Sequence, residues 1–116
     1  MTTTDITVRF KREALHYWAD APAEVAFLRH PHRHEFLVEV SIRVNHDERE
    51  LEFFLFRQEC EQLCTIPNGL SEPAVPKSCE TFAKELLTAL LQYYRRPMTI
   101  TVSEDGENAA TIRFTP

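Results

Sequence analysis

Two histidines separated by a single residue, His32 and His34, lead into a stretch that alternates polar and apolar residues up to Val44. Residues two apart in a β-strand point to the same face, so this spacing would place two imidazoles side by side. Neutral imidazoles are good zinc ligands, and a third histidine from a neighbouring strand would leave a fourth position open to water or substrate. The alternative is a solvated histidine-rich loop that includes His30. The pair therefore predicts either a working zinc site or a polar loop.

Two strands are predicted around this pair. Residues 4 to 12 alternate with the period of a half-buried strand, and residues 35 to 45 do the same. The second strand has one apolar face, made of Phe36, Val38, Val40, Ile42 and Val44. If that strand begins early, His32 and His34 continue its core-facing side, although Pro31 predicts an irregular start.

Two helices are predicted in the middle of the chain. The first lies within residues 52 to 64, where Phe56, Cys60 and Leu63 share one face. Residues 66 to 76 are rich in turn formers and form a connection. The second helix follows the N-cap Ser78 and runs from Cys79 to about Tyr94 with the spacing of an amphipathic helix.

Two further strands close the chain, at residues 98 to 103 and 109 to 115, with residues 104 to 108 as their hairpin turn. The resulting order is strand, strand, helix, helix, strand, strand. A chain of 116 residues that is 43% hydrophobic can bury a core as one domain, residues 1–116. We therefore expect an α+β fold, with a four-stranded antiparallel sheet and two helices on one face.

Composition limits the partners and the location. The formal charge of −5 argues against nonspecific binding to nucleic acid, which needs clustered cations. Neither an apolar run of about 18 residues nor a secretory leader is readable, so no membrane is expected and the cytoplasm is the predicted location. The cysteines Cys60, Cys64 and Cys79 lack a disulfide-framework spacing and are expected to be free thiols. Cys60 and Cys64 are four apart, but small buried residues explain this better than a metal site.

Over nearly its whole length the chain resembles the 6-pyruvoyl-tetrahydropterin and 6-carboxy-tetrahydropterin synthase family, which has the tunnelling fold. The shared features are the element order, a lone histidine after the first strand (His16), the H-x-H motif, a helix start with glutamate at residues 78–81, and a late strand ending at Glu104. The resemblance implies a zinc ion on His16, His32 and His34. It also implies a pterin- or purine-like ligand, whose amine and ring N–H would donate to Glu104. Without the resemblance, Glu104 is an ordinary polar turn residue.

The chain departs from the family at positions that carry its chemistry. Leu28 stands where family enzymes have a catalytic cysteine, and residues 63–69 lack the family's Asp-His pair. Arg33 replaces a glycine between the paired histidines and either meets an anionic group or Glu35, or faces solvent. We therefore expect a divergent zinc-binding homologue without the standard synthase activity. The alternatives are an active zinc-dependent carbon–oxygen lyase with a relocated proton shuttle, and an interaction module without metal.

Two expectations concern the ligand set and the assembly. His30 is a further candidate ligand, ranked below His16 because Pro31 interrupts the alternation. A four-stranded sheet leaves two open edges, which proteins cover or pair. The resemblance implies a symmetric homo-oligomer, a trimer or a dimer of trimers, with Glu104 facing a pocket partly made by another subunit.

Overall fold

The computed structural model describes residues 1–116 as four strands, two α-helices and one short 3₁₀ helix. In chain order these elements are β1 (Thr4–His16), the 3₁₀ helix (Ala23–Arg29), β2 (His32–Val44), α1 (Phe53–Leu63), α2 (Cys79–Leu90), β3 (Met98–Glu104) and β4 (Asn108–Phe114). The four strands form one antiparallel sheet in the order β1-β2-β3-β4. This confirms the predicted α+β fold and its ββααββ element order.

The hydrophobic core lies between one face of the sheet and the two α-helices. The apolar face predicted for β2 is buried along its length, and the alternating residues of β3 are buried beside it. Helix α2 packs on β3 and β4, while α1 packs on β1. The core therefore covers the inward side chains of all four strands.

Several element boundaries differ from the predictions. β1 continues to His16 instead of ending at residue 12, and β2 starts at His32, because these two extensions pair with each other. The α-helical part of α2 ends at Leu90 rather than at Tyr94. The hairpin loop is shorter than predicted, since Glu104 still belongs to β3. The 3₁₀ helix was not predicted, and its interior is kinked at Val25.

Helix α2 is anchored next to the end of β1. The Ser78 hydroxyl caps the helix by accepting a hydrogen bond from the Thr81 backbone N–H at 3.1 Å. Just before it, Val75 forms a parallel bridge with His16. The backbone N–H of Tyr17 donates to the Val75 carbonyl at 3.1 Å. This pairing brings the start of α2 against the histidine end of the sheet.

The helices are too short or too polar to serve as membrane spans. The cysteines Cys60, Cys64 and Cys79 are free, as expected.

Candidate metal centre

Three histidines from two neighbouring strands converge at one end of the sheet. His16, the last residue of β1, lies directly opposite His32, the first residue of β2, and His34 follows two residues later on the same face. The ring centroids are 4.5 Å apart for His16 and His32, 5.2 Å for His16 and His34, and 5.1 Å for His32 and His34. One ring nitrogen from each residue lies within 4.8 Å of the other two. These three residues, here called the three histidines, have the spacing of a metal-ligand set.

The Nδ1 atom of each ring is already engaged. That of His16 lies 2.8 Å from the Lys77 carbonyl oxygen, that of His32 lies 2.8 Å from the carbonyl oxygen of His30, and that of His34 lies 2.7 Å from Asp105 Oδ2. Carbonyl and carboxylate oxygens only accept hydrogen bonds, so each Nδ1 must carry the hydrogen. In a neutral ring the lone pair is then on Nε2. This arrangement of outer oxygen acceptors is typical of metal-binding histidines.

Two of these Nε2 atoms have no partner within the protein. The Nε2 atoms of His16 and His34 are both buried and make no hydrogen bond. Leaving a buried polar atom unsatisfied costs about 1–3 kcal/mol, so such atoms in a folded protein call for an explanation. A cation bound between the converging ring nitrogens of the three histidines would satisfy them. The residues present therefore fit a metal ion, and a set of three imidazoles suits zinc.

His16 is the most enclosed of the three histidines, with only 7% of its surface exposed. Burial lowers its pKa, against the opposing effects of its hydrogen bond to the Lys77 carbonyl and of the Glu104 charge. His16 is therefore neutral at physiological pH, which is the form that binds a metal without first losing a proton.

Glu104 lies beside the three histidines. It ends β3 opposite Phe36, and its side chain projects from the same face of the sheet. Its Oε2 atom lies 3.2 Å from His16 Nε2 and 3.6 Å from His34 Nε2. The prediction that Glu104 belongs to the hairpin turn is wrong, because pairing of Phe36 with Glu104 and of Glu104 with Asn108 keeps it in the strand.

Asp105 is a site residue that the sequence analysis missed. Its carboxylate receives the Glu35 backbone N–H at 2.8 Å on Oδ1 and the His34 ring at 2.7 Å on Oδ2. These two hydrogen bonds, that of Glu35 first, hold the pKa of Asp105 below its ordinary value. Its backbone has φ of 56°, a left-handed conformation that aspartate tolerates better than most residues. The Asp-Gly dipeptide signals a turn, but nothing in the sequence connects it with a histidine 71 positions away.

A cleft of about 840 Å³ opens next to the three histidines. His16, His32 and Glu104 contribute to its wall together with the start of α2 and the start of β4. Apolar side chains of Trp18 and Leu28 also line it. Its other lining residues with polar side-chain groups are Tyr17, Lys77, Ser78, Glu80, Thr81, Asn108 and Thr111. A mixed apolar and polar cleft of this size is typical of small-molecule sites.

The cleft lacks the acid–base groups that the resemblance implies for synthases, and its ionisable lining residues besides the histidines and carboxylates are Tyr17, Lys77 and Cys79. Leu28 lines the wall, at the position where the resemblance implies a cysteine in synthases. Cys79 also lines it, but burial raises the pKa of its thiol to about 12, so the thiol stays protonated. Residues 63–69, where the resemblance places an Asp-His pair, contribute nothing to the lining.

Two further candidates lie away from the ring cluster. The imidazole of His30 is outside the group of converging ring nitrogens, and only its carbonyl takes part, by accepting from His32. Arg33 lies on the opposite face of the sheet, where its Nε donates to Glu13 at 2.8 Å. Of its predicted roles, the structure therefore supports the surface one. Alternation along β2 explains this, because Arg33 lies between two inward residues.

Comparison with known proteins identifies the fold of the chain that carries this site. No protein-family model matches the chain, and no curated protein sequence matches it. Among solved structures, the 6-pyruvoyl tetrahydropterin synthase of Caenorhabditis elegans superimposes with a TM-score of 0.71 and 13% sequence identity, over 99% of this chain and 98% of that one. The chain has the tunnelling fold of that synthase. This confirms the fold implied by the resemblance, while identity this low carries no information about activity.

Proposed function

We propose that this chain is a zinc-binding protein of the tunnelling fold that binds a pterin- or purine-like small molecule and lacks the standard synthase activity. The observation that carries the proposal is the convergence of one ring nitrogen from each of the three histidines, on rings whose Nδ1 atoms are all engaged and two of whose Nε2 atoms are buried without a partner. Zinc, when bound there, supplies a positive charge that polarises neighbouring oxygen atoms. The chain's own residues would position the ion and shape the adjoining cleft.

The ligand class is proposed from the cleft and from Glu104. A carboxylate can accept two parallel hydrogen bonds from the amine and ring N–H of an aminopyrimidine. Glu104 and the aromatic side chain of Trp18 both line the cleft. These features suit a flat heterocycle with an amino group, in line with the role that the resemblance implies for Glu104.

The absence of synthase activity is proposed from the side chains around the cleft. Proton transfer requires a group within hydrogen-bond reach whose pKa suits the task. At the position where the resemblance implies a catalytic cysteine, Leu28 has no ionisable group, and the thiol of the one cysteine that lines the cleft, Cys79, is held protonated by burial. We infer that the site binds a ligand rather than converting it by the synthase route.

We further propose that the chain assembles into a symmetric homo-oligomer, a trimer or a dimer of trimers. β1 and β4 each pair on one side only, which leaves two long backbone edges. Pairing these edges between subunits would satisfy their N–H and C=O groups and bring a second subunit close to the cleft. Light scattering coupled to size exclusion tests this, and a monomer at micromolar concentration would contradict it.

A cytoplasmic location is proposed because the three cysteines are free thiols, which are usual in a reducing compartment. Fractionation of cells that produce the chain at its native level tests this location.

Metal content tests the central proposal. The wild-type chain, purified without a histidine tag, should contain about one zinc ion per chain by mass spectrometry. The His32→Ala, His34→Ala double variant should contain none, and the His30→Ala variant should match the wild type because the His30 ring is outside the cluster. Absence of metal from the wild type after incubation with zinc would contradict the proposal.

Ligand binding tests the second part of the proposal. Titration of the chain with pterin, followed by the ligand's fluorescence, should give saturable binding. Lumazine carries an oxygen in place of the pterin amine, so it should bind at least about tenfold more weakly if a carboxylate receives that amine. Equal binding of both compounds, or of neither, would contradict the assigned ligand class.

A further inference from the structure

The carboxylate of Glu104 lies within ion-pair distance of two of the three histidines. Its Oε2 atom lies 3.2 Å from Nε2 of His16 and 3.6 Å from Nε2 of His34. Both Nε2 atoms are buried, and neither forms a hydrogen bond with that oxygen. The carboxylate oxygen and the ring nitrogens therefore face one another as three acceptors without a hydrogen between them.

These distances match the edges of a coordination tetrahedron. Two ligand atoms that each lie about 2.1 Å from a zinc ion, at the tetrahedral angle, are about 3.4 Å apart. The distances from Oε2 to His16 and His34, 3.2 Å and 3.6 Å, lie on either side of this value. A direct hydrogen bond would instead have a shorter distance of about 2.7–2.9 Å for a charged pair.

The backbone holds Glu104 at this position. Glu104 pairs with Phe36 on β2 and with Asn108 on β4, so it is part of the sheet rather than a mobile turn. The next residue, Asp105, is fixed by the hydrogen bonds of its carboxylate to Glu35 N and to the His34 ring. The same hairpin thus orients one histidine and presents a carboxylate to the space between two histidine nitrogens.

We propose that Glu104 Oε2 is the fourth protein ligand of the zinc ion in the ligand-free chain. The inference rests on the zinc binding proposed above and changes the character of that site. Four protein ligands make a closed zinc site, whereas catalytic zinc sites keep one position open. A closed site agrees with a chain that lacks the acid–base groups of a synthase. With Oε2 bound to the ion only Oε1 is free, so a ligand that donates two parallel hydrogen bonds to Glu104 must first displace Oε2 from the ion.

The test compares the coordination sphere with and without the carboxylate. Cobalt(II) replaces zinc in the wild type, in Glu104→Ala and in the control Glu107→Gln, which removes an exposed charge from the same hairpin. Visible absorption is followed while azide is added. Zinc affinity of the three proteins is measured by competition with a chromophoric chelator, and circular dichroism confirms that each is folded.

A closed site predicts that azide leaves the cobalt spectra of the wild type and Glu107→Gln unchanged but alters that of Glu104→Ala. Glu104→Ala should also bind zinc at least about tenfold more weakly than either. Azide binding to the wild-type cobalt protein would overturn the inference without using any variant. Equal zinc affinity of wild type and Glu104→Ala would overturn it as well. If the wild type binds no metal, the proposed function fails too, so the two failures are distinguishable.

Discussion

The inward face of the sheet carries apolar side chains at one end and polar side chains at the other. At one end the inward residues of β2 and β3 are apolar, as at Val40, Ile42 and Ile100, and each is fully buried. At the other end the same alternation places His34 and Glu104 inward. At the first end, the helices cover the apolar side chains and no buried polar side-chain atom is left without a partner. The second end leaves buried nitrogen atoms without a partner.

The two ends meet at Phe36. Its ring centroid lies 5.4 Å from that of Phe82 on the apolar side, and 5.1 Å and 5.7 Å from the rings of His16 and His34. The core therefore continues directly to the candidate ligands and shields them from water on one side. The comparison teaches that burial of apolar side chains stabilises one end of the sheet, whereas the other end keeps two buried polar atoms unpaired, which a bound cation would satisfy.

The largest expected loss of stability comes from a substitution at the end of the sheet that carries Val40, Ile42 and Ile100, here called the apolar end. Ile100→Ala removes three carbon atoms from a fully buried side chain, so it should destabilise the chain by about 2–5 kcal/mol in urea unfolding. Ile100→Val is the matched control, with an expected loss of about 0.5–1.5 kcal/mol. Zinc affinity of the folded Ile100→Ala protein should stay unchanged. A large loss of zinc affinity would show that the two ends are not separable.

The next effect concerns the end of the sheet that carries the three histidines and Glu104, here called the metal end. Zinc at a free concentration of about 100 times its Kd should raise the free energy of unfolding of the wild type by about 2.7 kcal/mol. The His32→Ala, His34→Ala variant should show no such increase, although its zinc-free stability should differ from wild type by no more than about 1 kcal/mol. Thermal and urea unfolding with and without zinc measure both. An equal zinc effect in both proteins would place the metal elsewhere.

A smaller effect is expected one step away from the ligands, at Asp105. Asn tolerates the same left-handed backbone, so Asp105→Asn keeps the turn but removes the negative charge next to the His34 ring. We expect zinc affinity to fall about 10–100-fold, as it does when other outer partners of metal-binding histidines are removed. Glu107→Gln controls for the change in charge on the hairpin. Unaltered affinity in Asp105→Asn would mean that the His34 ring is oriented by packing alone.

The sequence predicts the apolar end better than the metal end, and the reason is physical. Alternation at Phe36, Val38 and Val40 is a local property, and it predicts correctly both the strand and its buried face. The spacing of His32 and His34 is local in the same sense. Their common orientation toward the site follows from the period of the strand.

Other features of the metal end depend on contacts distant in sequence. Pairing between the ends of β1 and β2 extends both strands, and it brings His16 next to His32. Asp105 meets His34 only because β3 lies next to β2 in the sheet. Side chains that come together through pairing of this kind leave no periodic signal in a single sequence, which is why Asp105 was missed.

The smallest predicted effect is the pH dependence of stability that His16 contributes. Burial holds the pKa of His16 below its ordinary value of 6.5, so below that pH the unfolded chain binds a proton that the folded chain does not. Stability of the zinc-free chain should therefore fall as the pH decreases below 6.5 and be independent of His16 above it. Urea midpoints between about pH 7.5 and about pH 5 measure this, with at most one proton of difference due to His16. His16→Gln should lose that part of the slope, while Ile100→Ala should keep it, because the apolar end contains no group that titrates there. A wild-type slope that survives in His16→Gln would assign the pH dependence to other groups and remove His16 as its cause.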